Sequence, residues 1–225
     1  MSSSRQPLPE AEVYKRVGHF EDRLPSILGL LCGGDVLYED GQELKVLDTA
    51  AVRGGWMDDT SAKILHRLVL STVGEPLWKY TDEPQLLRAF HAIIEAHQRL
   101  AERGILHCDI SPGNLLLASG LSAYVSGILT DFDGAYIDEE LFNRVAHDAH
   151  DPGRVGPMQT NAMATKSSLS GTRQFMATHL LYAVERKGTA EHTAAHDDLE
   201  SIGYVFGYAH PHPPLPSQHA RVRGG

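Results

Sequence analysis

Residues 107–114 read His-Cys-Asp-Ile-Ser-Pro-Gly-Asn, and residues 131–133 read Asp-Phe-Asp. A carboxylate, Asp109, stands five residues before an amide, Asn114, and a second carboxylate, Asp131, follows seventeen residues later behind an apolar run. This order constrains the fold, because the polar groups must converge while the apolar residues between them enter a core. Residues 115–117 and 127–130 flank a Ser- and Gly-containing turn, which predicts a two-stranded hairpin. Such a hairpin presents both of its ends at one edge. A carboxylate, an amide oxygen and a second carboxylate gathered there suit the orienting of a hydroxyl and the holding of Mg²⁺ against nucleotide phosphates.

The clearest helical pattern lies just upstream, over 83–103. Asp82 is the expected N-cap, Gln85 completes a capping box, and Pro84 suits the first turn. Leu86, Leu87, Phe90, Ile93, Ile94, His97 and Leu100 recur at helical spacing, and Gly104 is the expected stop. Further elements are a helix within 11–23, a strand and turn over 24–31, and short antiparallel strands near 36–38 and 44–47. A strand over 67–73 is expected to end at Gly74, Glu75 and Pro76. A helix over 196–208 would place Leu199, Ile202, Gly203 and Phe206 on one face. Residues 1–10 read as a frayed lead-in and 138–170 as irregular.

The bulk properties exclude several classes. A net charge of −9 without a basic run argues against nucleic-acid binding. Two cysteines, Cys32 and Cys108, imply no disulfide framework. The first residues lack a secretory apolar region, and no stretch approaches the roughly 18 apolar residues of a membrane span. The expected setting is soluble and intracellular, cytoplasmic or nuclear. His147 and His150 have metal-ligand spacing, but a solvated loop is the better reading, as it is for His210 and His212. Cys108 reads as a small semi-buried residue.

The strings Gly104-Ile-Leu-His-Cys-Asp-Ile-Ser-Pro-Gly-Asn-Leu-Leu-Leu, Leu129-Thr-Asp-Phe-Asp-Gly-Ala, Gly171-Thr-Arg-Gln-Phe-Met-Ala and His196-Asp-Asp-Leu-Glu-Ser-Ile-Gly-Tyr-Val resemble the fungal-type protein kinases. With His66-Arg-Leu-Val-Leu-Ser-Thr-Val-Gly-Glu-Pro-Leu upstream, the resemblance spans about residues 62–208. It implies an α+β, two-lobed protein kinase-like fold with an incomplete small β lobe and a mainly helical large lobe, itself incomplete. Residues 1–74 would be the partial N-lobe and hinge, 75–208 the C-lobe, and 209–225 a Pro-rich disordered tail. The resemblance implies Asp109 as the catalytic base, and Asn114 and Asp131 as ligands of Mg²⁺ and ATP. Ser71, Thr72 and Val73 would be the adenine-facing hinge, residues 134–170 an activation segment, and Asp198 the anchor of the catalytic loop. His107 is expected to brace that loop by hydrogen bonding.

The chain departs from the family pattern in places. Cys108 replaces an arginine that usually links the catalytic loop to the activation segment, which argues against control by phosphorylation there. Asp133 stands where many kinases have glycine, and His179 falls near the acidic residue that usually closes the activation segment. Glu10 or Glu12 is the candidate helix glutamate, with its lysine partner expected before Met1, since Lys45 and Lys63 come in the wrong order. The implied activity is transfer of the ATP γ-phosphate to Ser or Thr hydroxyls of a protein substrate. The alternatives are an impaired pseudokinase serving as a binding module and a small-molecule phosphotransferase of the aminoglycoside or choline kinase type. The peptide substrate, the regulator and the oligomeric state stay open at this point.

Overall fold

The computed structural model describes residues 9–20, 22–54, 62–118, 125–148, 172–187 and 194–210. In chain order they form α1 (Glu10–Gly18), β1 (Leu30–Asp35), β2 (Leu37–Asp40), β3 (Glu43–Val46), α2 (Thr49–Val52), β4 (His66–Leu70) and β5 (Gly74–Pro76). There follow α3 (Glu83–Glu102), β6 (Ile105–Leu106), β7 (Leu115–Ala118), β8 (Gly127–Leu129) and β9 (Tyr136–Ile137), then α4 (Glu139–Asp148), α5 (Thr178–Lys187) and α6 (Ala195–Ala209). The architecture is α+β, with small antiparallel sheets among the helices. The start of the lead-in, residues 119–124 of the expected turn, residues 149–171 with His150, and the tail beyond 210 with His212 lie outside the described residues.

α3 organises the packing. Asp82 caps it by accepting from Gln85 N at 2.7 Å. The reciprocal bond is displaced by one residue, because Gln85 Oε1 reaches back to Thr81 N at 2.6 Å. Leu86, Ala89, Phe90, Ile93, Ala96 and Leu100 enter the main core. Leu87 and Ile94, which the apolar spacing also predicts inside, flank that stripe and are 56% and 41% exposed. Gly104 ends the helix at φ 76°, a left-handed conformation that glycine adopts without steric cost.

The predicted hairpin forms as β7 and β8, with Leu115 opposite Leu129. β5 then pairs with the other edge of β7. Gly74, Glu75 and Pro76 are therefore themselves a strand and not the end of one. Pro76 is tolerated because β5 lies at the sheet edge. The strand expected over 67–73 is β4, which stops before Ser71 and pairs with β1. Residues 24–29 are irregular around a turn at Pro25 and Ser26, bury Leu24, Ile27 and Leu28 and bridge Ile27 to Leu129, before β1 begins at Leu30. α1 is shorter than the expected 11–23. Beyond it Phe20 lies under the Arg103 guanidinium, which also pairs with Asp22.

Two further differences concern helices. Residues 139–148 form α4 in a stretch that reads as irregular. Its first turn is supported by Asp138, which accepts from Leu141 N at 2.9 Å. In α6 the buried residues are Asp197, Asp198, Ser201, Ile202, Val205 and Ala209, whereas Leu199 is 44% exposed. The face expected from Leu199, Ile202, Gly203 and Phe206 is thus rotated, because the buried carboxylates take the inward positions.

Helix and sheet meet most closely at Gly127. A Cβ there would collide with the backbone of Ala89 on α3, and Ala89 is itself fully buried. Neither backbone has room to retreat. Gly127→Ala is expected to destabilise the fold by about 2–3 kcal/mol, as overpacking of a filled interface does. Equilibrium urea unfolding checks this, with a shifted midpoint and an unchanged slope as the expected result.

Candidate active site

The β7–β8 register sets the site. With Leu115 opposite Leu129, Asn114 and Thr130 face one another just beyond the hairpin, and Thr130 N donates to Asn114 O at 3.0 Å. Asp131 follows directly. On the other side Asn114 Nδ2 donates to the Asp109 carbonyl at 2.8 Å. That bond commits the amide nitrogen and leaves Oδ1 as the atom suited to a cation. Asp131 is exposed at the end of the same network. An amide oxygen and a carboxylate are hard donors of the kind Mg²⁺ takes.

His107 ties the two halves together. Its ring is buried, Nδ1 accepts from Asp109 N at 3.3 Å, and Nε2 therefore donates to Thr130 O at 3.0 Å. Burial holds its pKa below the ordinary imidazole value, so the ring stays neutral and keeps this tautomer. Phe132, between the two aspartates of Asp-Phe-Asp, is fully buried against His107 and against the edge of Tyr14.

Beneath the loop lies Asp198, fully buried on α6. Its carboxylate accepts from His107 N at 2.8 Å and Cys108 N at 3.0 Å, and His97 Nε2 of α3 lies 3.1 Å away. The loop needs this grip because Cys108 has φ 64°. A non-glycine residue held there costs on the order of 1–3 kcal/mol. Bonds from two backbone N–H groups to a carboxylate offset that cost, since charge-assisted bonds are roughly twice as strong as neutral ones. Asp131 is the other described non-glycine residue at positive φ, 67°.

One contributor, Tyr14, carried no sequence signal, whereas Glu10 was one of two candidates and Thr172 lies in the Gly171-Thr-Arg-Gln-Phe-Met-Ala string. α1 reaches the site with two side chains. Tyr14 Oη lies 3.0 Å from Thr130 Oγ1 and accepts from Asp131 N at 3.3 Å. Glu10 accepts from Phe132 N at 3.1 Å, whereas Glu12 pairs with Arg16, so Glu10 is the glutamate that meets the motif. Burial first, then the Asp131 and Asp133 carboxylates, raise the Glu10 pKa, and the Phe132 N–H opposes them. Thr172 approaches from the other side, its backbone N–H donating to Asp109 Oδ1 at 3.0 Å.

Ser71, Thr72 and Val73 are not part of this cluster. They are exposed in the connection from β4 to β5, where Ser71 Oγ accepts from Gly29 N at 3.0 Å. The next residue, Gly74, pairs with Ala118. That is the end of β7 away from Asn114, roughly 13 Å distant at the rise of a strand.

A family model described as fungal protein kinase matches residues 7–209. The fold and the match define a kinase-like protein. The chain belongs to the fungal protein kinase family. No curated protein matches it. No described helix is long and apolar enough to cross a membrane.

Two outcomes follow from the anchoring contacts. Asp198→Asn replaces an acceptor with an amide that turns a donor toward backbone N–H groups, so it is expected to cost about 3 kcal/mol in urea unfolding. Glu200, on α6, accepts from Tyr204 Oη at 2.6 Å and from Thr178 N and Oγ1 at 2.9 and 2.7 Å. These bonds, led by that from Tyr204, lower its pKa from 4.5 to about 2. Its contribution is therefore fully present above pH 4.5 and lost as pH falls toward 2. Unfolding measured across that window is expected to depend less steeply on pH in Glu200→Gln than in the wild type.

Proposed function

We propose that this chain is a protein kinase domain that transfers the γ-phosphate of ATP to Ser or Thr hydroxyls of protein substrates. The observation that carries the reading is the hydrogen-bonded convergence of Asp109, Asn114 and Asp131 across the hairpin end. In this reading the chain has a small lobe within residues 1–74, with Ser71, Thr72 and Val73 as the hinge against adenine. A large lobe follows over 75–208.

Each residue then has a task. Asp109, half-buried and close to the Thr172 N–H, orients the attacking hydroxyl and receives its proton. Asn114 Oδ1 and the Asp131 carboxylate would hold Mg²⁺, which when bound neutralises charge developing on the phosphates. His107 and Asp198 are positioning residues that hold the loop without touching substrate. The gap from the hinge to Asn114 suits an elongated ligand, with its base at one end and its phosphates at the other.

A protein substrate is favoured over a small molecule by the segment from Thr172 onward. It begins on Asp109 and continues into a cleft of ≈ 310 Å³ lined by Phe175, Met176, Leu181, Tyr204 and Tyr208. With Gln174 and Thr178 also at its wall, this partly polar lining suits a side chain of a bound peptide. The net charge of −9 favours basic substrates through long-range attraction.

A second reading, a binding module with impaired transfer, is favoured by Glu10. Among the described residues no Lys or Arg pairs with it, so the cation that usually accompanies this glutamate is not supplied there. Loss of such a cation lowers transfer by roughly 10³-fold.

Purified protein with labelled ATP, Mg²⁺ and a basic protein substrate tests both readings. Transfer that falls by about 10³-fold or more in Asp109→Asn supports the first. A Mg²⁺-dependent rise in melting temperature with ATP, lost in Asp131→Ala and unaccompanied by transfer, supports the second. Equal ATP stabilisation with and without Mg²⁺ would count against the metal roles of Asn114 and Asp131.

A further inference from the structure

Away from the proposed phosphotransfer site, α5 and α6 meet near their N-terminal ends through His179, His196 and Asp197. His179 Nε2 lies 3.3 Å and His196 Nε2 3.1 Å from the same atom, Asp197 Oδ1. The carboxylate is fully buried, while the two imidazoles are 49% and 66% exposed. Their ring centroids are 5.6 Å apart at an angle of 40°. One ligand atom from each of the three residues falls within 4.8 Å of the others.

Neighbouring donors around a tetrahedral zinc ion, with bonds of about 2.0–2.2 Å, stand roughly 3.3–3.6 Å apart. The two nitrogen-to-oxygen separations are already close to that edge. We propose that His179, His196 and Asp197 form a binding site for a divalent transition-metal ion of the zinc type, with water in the fourth position. The donor set decides the class. Two imidazoles and one carboxylate suit zinc and its neighbours, whereas Mg²⁺ prefers oxygen ligands in an octahedron. The buried carboxylate supplies a fixed anchor, and the exposed rings leave an open path of entry. Three ligands from two helices also distinguish this cluster from the spacing of His147 and His150, which lies within one stretch of chain.

The site joins two parts of the molecule with different duties. His179 lies on the helix that follows the Thr172 segment, and Asp197 adjoins Asp198, which holds the loop before Asp109. A bound ion would staple that segment to α6. Metal that binds only the folded chain also stabilises it.

The test uses the full chain stripped with chelator and titrated with Zn²⁺ and with Co²⁺, whose tetrahedral complexes absorb strongly in the visible. The other histidines among the 13 are controlled by His179→Ala/His196→Ala, in which both removed rings are exposed. The wild type is expected to bind one more equivalent of Zn²⁺ than the double variant, to show the tetrahedral Co²⁺ spectrum, and to gain melting temperature with Zn²⁺ where the double variant does not. His196→Gln alone is expected to weaken binding by more than the roughly 10–100-fold typical of losing an outer partner. Asp109→Asn, which removes the proposed base, is expected to keep the additional equivalent, so failure of the kinase reading leaves this result standing. Equal Zn²⁺ stoichiometry in the wild type and the double variant, or a weak octahedral Co²⁺ spectrum, would overturn the proposal.

Discussion

Asp198 is a buried carboxylate whose oxygens take the backbone N–H groups of two successive loop residues. Much else depends on that contact. A charged group in a core is costly unless its partners are close and directional. Here the partners are backbone donors that a helix or sheet would otherwise have used. The loop gives up regular structure and receives a fixed anion in exchange. That arrangement lets Cys108 keep a left-handed conformation, and it aims the chain so that Asp109 emerges beside Asn114. His97 adds a contact from α3, so the longest helix, the loop and α6 meet at one side chain.

The site is layered outward from this anchor. His107 hands the loop's position on to Thr130 by a neutral ring whose tautomer is set by the Asp109 N–H. The hairpin register carries it to Asp131. Each link is a hydrogen bond between groups with little freedom, so the polar cluster is positioned by backbone geometry and not by long, mobile side chains. Such pre-organisation lowers the cost of assembling a reactive arrangement when a ligand arrives.

Legibility in the sequence tracked how local the cause was. The α3 pattern was plain because cap, stripe and stop fall within one window. Leu115 and Leu129 were readable as hairpin partners, and the convergence of Asn114 with Asp131 follows from that pairing. α4 was obscured because Leu141 and Phe142 are its main apolar residues, and its support from Asp138 precedes the helix. The inward turn of α6 was missed for a different reason. Hydrophobic spacing selects Leu199, which is exposed, while Ile202 and Phe206 do pack on the core and the carboxylates of Asp197 and Asp198 take further buried positions. Glu10 was readable only as one of two candidate glutamates, and the contacts of Tyr14 and Thr172 with the site were not readable at all. Glu10 and Tyr14 belong to a helix more than a hundred residues upstream of the motif they touch, and Thr172 contributes through a backbone N–H that any residue other than proline would possess.

The attachment of α1 has an asymmetric consequence. Its inner contact is the Tyr14 hydroxyl, whose pKa burial pushes up to about 12, so the phenol is uncharged across the physiological range. Its outer contact is the pair from Arg16 to Glu139 at 2.8 Å, partly open to solvent. Counter-ions screen the second and leave the first untouched. Ionic strength therefore acts on the Arg16–Glu139 pair and spares the Tyr14 hydroxyl, so α1 has one uncharged mooring against the Asp131 segment and one adjustable mooring on α4.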